Sequence, residues 1–308
     1  MQADKVPFGV NRRRFLQSTA ALAAASQAVS SACTRVQPAK SGTVRDRLWV
    51  FCCPTNSDFV NIGQRSVMSP AESVYYLGVP NIIMVQDHPR PGHEAEFKPF
   101  EPPLEQYAVA LRPLKNVVWS AVGSGGATAA TERQQVLDLA KHTPNVTGIF
   151  MDDFFTGKAE GQRASLTVEG LRDLRQQIQQ LGKKLDLYVT FYTRFLRVPV
   201  ADYMELIDVM TLWTGDHKDL VNLESYLPAA EKLAPKCRKM LGCYVVDYDA
   251  KKSIPVSAMQ LQCQTGLRWL REGRIEGIIF LGNTVMDLGY EAVEWTREWI
   301  QQVGDTKL

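Results

Sequence analysis

Asp152 and Asp153 are adjacent carboxylates that end an uncharged run, Val146–Met151. The residues before them are β-formers, which suits a strand covered on both faces. Two charges at the tip of such a strand are costly unless solvated or used by a site. In parallel α/β proteins the carboxyl end of a strand is where chemistry is housed. The pair is therefore the first candidate catalytic centre, and two acids side by side suit proton transfer. Successive side chains on a strand face opposite ways, so both can address one substrate only if the strand ends or bulges at Met151. Otherwise Asp153 caps the next helix or pairs with Arg163.

The elements that must position the pair recur regularly. Eight short apolar runs follow residue 44: Leu48–Cys53, Asn81–Val85, Asn116–Ala121, Gly148–Met151, Leu185–Phe191, Val209–Trp213, Met240–Val246 and Gly277–Leu281. Helical patterns lie between them. Ser69-Pro70-Ala71-Glu72 is a capping box with proline at the first helical position. Thr131 is placed to cap a helix through His142. Leu171, Leu174 and Ile178 fall at helical spacing, stopping at Gly182, and Met259, Cys263, Leu267 and Leu270 do so up to Gly273. A last helix runs from about Tyr290 to Val303. This alternation predicts one (β/α)8 TIM barrel, an α/β fold over residues 45–308, in preference to a doubly wound open sheet. Pro89 to Pro113 reads as a long loop after the second strand.

A barrel gathers its strand ends around one pocket, here adding Tyr192, Trp213-Thr214-Gly215-Asp216, Tyr244 to Tyr248 with Asp247, and Gly282-Asn283. Aromatic faces stack on sugar rings, amides and carboxylates bind hydroxyls, and paired acids cleave glycosidic bonds. Tyr192, Trp213, Asp216, Tyr244, Asp247 and Asn283 are thus the expected substrate-binding residues, with a carbohydrate or glycoconjugate as substrate.

Asp152-Asp153 after the fourth strand, with Trp213-Thr214-Gly215 after the sixth, resembles the family 84 glycoside hydrolases, the O-GlcNAcases and their bacterial relatives. Asn283 sits roughly where that family has a Ser-Asn-Pro segment. The seventh strand departs from the pattern, since Gly242–Asp247 contains no asparagine. The resemblance implies substrate-assisted hydrolysis of N-acetylhexosamine sugars. Asp152 would hold the acetamido N–H, and Asp153 would protonate the leaving oxygen and later deprotonate water. Without an acetamido group, Asp247 or Asp216 would supply the second carboxylate.

Two rival readings remain open. A metal-dependent barrel hydrolase would use Asp87-His88 with His93-Glu94, but these are not at zinc spacing on a helix, and no metal or other cofactor is expected. A non-catalytic carbohydrate-binding envelope protein would keep the aromatic platform while the acids serve structure. Gly123-Ser124-Gly125-Gly126 lacks the Gly-Lys-Ser/Thr of a phosphate loop and reads as a connection or flexible lid.

The chain has 308 residues, 45% hydrophobic and 22% charged, with a net charge of only +2. No basic run is interleaved with aromatics, which argues against nucleic acid as a partner. Asn11-Arg12-Arg13-Arg14-Phe15-Leu16 resembles a twin-arginine export signal, followed by an Ala-rich run from Thr19 to Val29 too short to span a membrane. A signal over residues 1–33, a linker over 34–44, the twin-arginine export machinery as partner and a bacterial periplasmic or cell-envelope location are expected. Ser30-Ser31-Ala32-Cys33 offers either a peptidase site or a lipid anchor at Cys33. Most of the other five cysteines, two of which are vicinal, read as small buried hydrophobes.

Overall fold

The computed structural model describes residues 42–57, 62–88, 99–248 and 250–308. The expected signal with Cys33, linker residues 34–41, and His93 and Glu94 lie outside these residues.

The strands are β1 (Leu48–Cys52), β2 (Asn81–Met84), β3 (Asn116–Val122), β4 (Val146–Met151), β5 (Asp186–Tyr192), β6 (Val209–Trp213), β7 (Arg238–Cys243), β8 (Val246–Asp247), β9 (Lys252–Ser253) and β10 (Gly277–Leu281). Apart from β8 and β9, which form an antiparallel pair, they are parallel and close in the cyclic order β1-β10-β7-β6-β5-β4-β3-β2. This is the expected eight-stranded barrel, and closure excludes the open sheet. The helices are α1 (Pro70–Leu77), α2 (Glu105–Leu111), α3 (Ala130–His142), α4 (Val168–Gln180), α5 (Ala201–Met204), α6 (Leu223–Leu233), α7 (Val256–Arg271) and α8 (Glu291–Val303).

β1, β2, β6 and β10 are buried along their whole length, as their unbroken apolar runs require. Phe51 of β1 meets Phe150 of β4 and Trp213 of β6 at centroid distances of 5.9 and 5.7 Å. Those strands are not neighbours in the sheet, so the rings meet across the lumen and fill it. They form the floor on which the strand-end residues stand.

Local chemistry sets the helix starts. At α1 the Glu72 N–H donates to Ser69 Oγ at 3.3 Å and the Ser69 N–H donates to Glu72 Oε2 at 2.7 Å, with Gly78 left-handed at the other end. At α3 the expected cap is displaced. Ala129, not Thr131, is the N-cap, and its N–H is satisfied by Glu132 Oε2 at 3.1 Å. A carboxylate at the third helical position suffices without a capping hydroxyl.

Two further expectations are corrected. The seventh strand stops at Cys243, and the apolar run continues only because Tyr244, Val245 and Val246 are buried under the barrel mouth. The proposed long loop contains α2, which buries Ala108 and Leu111. Ahead of β1, Thr43 forms an isolated antiparallel bridge with Lys307, and Val44 is fully buried.

Candidate active site

β4 ends at Met151, and its register with β3 shifts between Ser120 and Val122. The Asp152 N–H still donates to Val122 O at 2.9 Å, but the chain then turns, with Asp153 at φ 44°. Aspartate is among the few residues that tolerate this left-handed conformation. The turn removes the strict alternation of a strand, and both carboxylates line one cavity of about 450 Å3. Arg163 is not Asp153's partner; it pairs with Asp202.

The two acids have unequal surroundings. Asp152 is only 2% exposed. Its Oδ1 accepts from Thr190 Oγ1 at 2.7 Å, and its Oδ2 has no protein partner. Burial, reinforced by the adjacent Asp153 charge, pushes the Asp152 carboxyl well above the usual carboxylate range. Asp153 is half-buried and engages two donors: Tyr192 OH at Oδ1, and the Gly125 N–H at Oδ2 at 2.9 Å. Burial above all keeps the Tyr192 hydroxyl protonated and hence a donor.

The cavity wall is aromatic. Trp213 is anchored through Nε1–H to Thr211 Oγ1 at 2.9 Å, and its ring lies 4.7 Å from that of Tyr244. Tyr244 in turn meets Tyr248 at 4.9 Å. Tyr248 OH is buried and has no protein partner. Two unsatisfied polar atoms, Asp152 Oδ2 and Tyr248 OH, therefore belong to residues lining a cavity of mixed aromatic and charged side chains. Buried polar atoms are costly when unpaired, which favours a ligand that pairs them.

Of the expected site residues, Asp152, Asp153, Tyr192, Trp213, Asp216 and Tyr244 are brought together around this cavity. Asp247 and Asn283 are not among the lining residues. Asp247 accepts from the Ala250 N–H at 2.7 Å and from His217, and pins the loop between β8 and β9. Burial opposes its charge, but these donors outweigh it and leave its carboxyl below the usual range. Asn283 accepts from the Cys53 N–H at 3.0 Å and donates to Cys53 O at 2.9 Å and Met68 O at 3.0 Å. Its amide is spent on joining the ends of β1 and β10.

Four participants escaped the sequence reading. Thr190 shares a strand face with Tyr192, so alternation along β5 was a usable signal. Tyr248 sits in the noted Tyr244 to Tyr248 stretch but was not singled out. Arg194, whose guanidinium lies 4.2 Å from the Tyr192 ring centre, carries no pattern that marks it. Gly125 belongs to a segment read as a connection, whereas its backbone serves Asp153 directly.

Of the residues weighed for a metal, His93 and Glu94 lie outside the described residues. Asp87 is fully buried and accepts from Ser57 and from Ser124 Oγ at 2.8 Å. Among the described residues, Asp216, His217 and Asp247 bring ligand-type atoms within 4.8 Å of one another. There Asp216 Oδ1 already accepts the Lys218 N–H at 2.8 Å, and Asp247 holds His217.

No protein-family model and no curated protein sequence matches this chain. Solved structures do match in fold. A proposed alpha-L-fucosidase from Bacteroides thetaiotaomicron VPI-5482 aligns with a TM-score of 0.53 at 11% identity, over 77% of this chain and 86% of that one. A xylanase-alpha-amylase inhibitor protein, crystallised with trehalose, aligns at 0.52 and 11% identity, over 84% and 98%. A second form of that inhibitor reaches 0.53 at 12% identity with the same coverage. These likenesses show a shared barrel fold, which carries both a proposed hydrolase and inhibitors, so the site must decide function.

Proposed function

We propose that this chain is a glycoside hydrolase, exported to the cell envelope, that cleaves a glycosidic bond at Asp152 and Asp153. The observation that carries this reading is two carboxylates opening into one aromatic cavity while held in unequal surroundings. Two acids this close share protons as a pair. In the free site the proton rests on buried Asp152. Asp153, on the more open side, is the one that reaches the glycosidic oxygen.

The short motifs that resemble family 84 enzymes add a substrate-assisted route. A substrate N–H donated to Asp152 stabilises its charge, and the pair's proton passes to Asp153. Asp153 then donates it to the leaving oxygen as the bond to the anomeric carbon breaks and the acetamido oxygen bonds to that carbon. Water next attacks the anomeric carbon, the acetamido bond opens, and Asp153 takes the water's proton, restoring the pair. Tyr244 and Tyr248 stack on and orient the sugar, with the buried Trp213 packed against Tyr244 to hold it in place.

Hydrolysis of aryl N-acetyl-β-glucosaminide, N-acetyl-galactosaminide and their non-acetylated counterparts tests this, beside Asp152→Asn and Asp153→Asn. Turnover restricted to acetamido sugars and lost in both variants supports the full route. Turnover of plain hexosides keeps the hydrolase and moves the second carboxylate to Asp216, the remaining acid lining the cavity that the sequence singled out. Tight sugar binding without turnover replaces the enzyme by a carbohydrate-binding protein. Export and an anchor at Cys33 belong to the same proposal. Fractionation of cells making Arg12→Lys/Arg13→Lys or Cys33→Ala chains checks both.

A further inference from the structure

A second cavity of about 520 Å3 adjoins the first at Asp153. It shares Asp153, Tyr192 and Arg194 with the aromatic cavity. Elsewhere its lining is neutral: Gln162 supplies an amide, Phe155 and Phe195 supply rings, and Thr128, Thr156 and Ser165, whose hydroxyls donate to the carbonyls of Ala121, Gln162 and Phe154, supply acceptor oxygens. Both volumes fall within the range of about 300–1,000 Å3 usual for small-molecule sites. At the divide, Tyr192 OH and the Gly125 N–H hold the two oxygens of Asp153.

The far wall is preformed. Residues 155–164 make a short excursion closed by the Phe155–Ala164 bridge and by the Thr156 N–H donating to Arg163 O at 2.9 Å. Arg163 clamps it to Asp202. A side chain at Gly126 would come within 2.8 Å of Asp153 O, so glycine there lets the loop after β3 close against the acid turn.

We propose that this second cavity is the leaving-group subsite, and that the substrate is an extended neutral glycan or glycoconjugate that crosses Asp153. The inference rests on the glycosidase reading and deepens it. The sugar whose anomeric carbon reacts occupies the aromatic cavity. The portion released, which takes the proton on its glycosidic oxygen, occupies the hydroxyl-lined one. Stacking fits the first and hydrogen bonding to a neutral polyol fits the second. A bond placed over Asp153 has sugar on both sides, so small aryl leaving groups forfeit the second set of contacts.

The test compares 4-nitrophenyl N-acetyl-β-glucosaminide with chitotriose and chitotetraose, alongside cellotriose and xylotriose and their nitrophenyl glycosides. Each is run with the wild type, Gln162→Ala and Gln162→Trp. Gln162 is exposed, so both variants should fold, and circular dichroism checks this. In the wild type, kcat/KM for the oligosaccharide of the sugar that is cleaved should exceed that for its aryl glycoside at least ten-fold. Gln162→Trp should lower that ratio at least ten-fold, and Gln162→Ala should lower it less. A ratio unchanged by Gln162→Trp, or no advantage of the oligosaccharide, overturns the assignment. If nothing is hydrolysed, the glycosidase reading fails separately, and calorimetric binding of the same oligosaccharides decides. Affinity lost in Gln162→Trp keeps a two-cavity cleft; equal affinity, or none, removes it.

Discussion

Gly242 on β7 is the register partner of Trp213 on β6, and a Cβ at Gly242 would lie 2.0 Å from the indole. The missing side chain is what lets the ring press against the neighbouring strand, where it lies 4.7 Å from the Tyr244 ring at a tilt of 39°. Gly242→Ala should push Trp213 off this seat, costing about 1–3 kcal/mol of stability. Thermal melting together with sugar affinity measures it. An unchanged melting point with full affinity would show that the indole does not need this seat.

Tyr192→Phe keeps the ring that Arg194 covers and removes only the hydroxyl given to Asp153. Donors aimed at a reacting group are worth about 100-fold in kcat. The variant should lose turnover on that scale with KM nearly unchanged. A loss in KM alone would make Tyr192 a binding residue only.

Thr190→Val deletes the larger of the two hydrogen bonds, from Thr190 and from the Asp153 backbone, that oppose the upward push on Asp152. The pair's upper apparent pKa should rise, moving the alkaline limb of the kcat/KM profile to higher pH. At the optimum, activity should fall by less than about ten-fold. A profile that does not move would separate Asp152 from the titration that governs rate.

Asp152 should also cost stability at neutral pH. Below about pH 3.9, the ordinary aspartate value, folded and unfolded chains both hold its proton. As pH rises the unfolded chain releases it first, because the folded value is raised. The native state then binds more protons, and stability falls until the folded value is passed. Asp152→Asn escapes this decline. It should exceed the wild type by about 0.5–2 kcal/mol at pH 7.5 and gain nothing at pH 4. Urea unfolding at the two pH values reads the difference.

Asn283→Ala should behave as a structural lesion. It strands the Cys53 N–H and two carbonyls, at a cost of about 1–3 kcal/mol. Affinity for sugar per folded molecule should hold. A selective loss of affinity without loss of stability would return Asn283 to the binding set.

The strands were readable because a barrel buries them on both faces and leaves continuous apolar runs. The same logic misled at Tyr244–Val246, where burial comes from the mouth of the barrel rather than from the sheet. α2 was hidden because it has only seven residues and follows Pro102 and Pro103. Asp152, Asp153, Tyr192, Trp213, Asp216 and Tyr244 were legible as strand ends converging on one mouth. Asn283 shared that position but not that role, because spacing cannot show that its amide joins two loops. Gly125 and Arg194 contribute a backbone N–H and a stacked cation, and neither leaves a pattern in residue type.

Cys52, Cys53, Cys237, Cys243 and Cys263 are all free and buried. Burial pushes the Cys237 thiol up to about 11 and that of Cys52 up to about 12. Oxidants and disulfides are attacked by thiolate, which these side chains scarcely form at neutral pH. Burial in the folded barrel therefore shields these five thiols from the redox poise around them. The sulfurs become reactive only when the strands part, so a thiol-specific dye would keep time with the opening of the barrel.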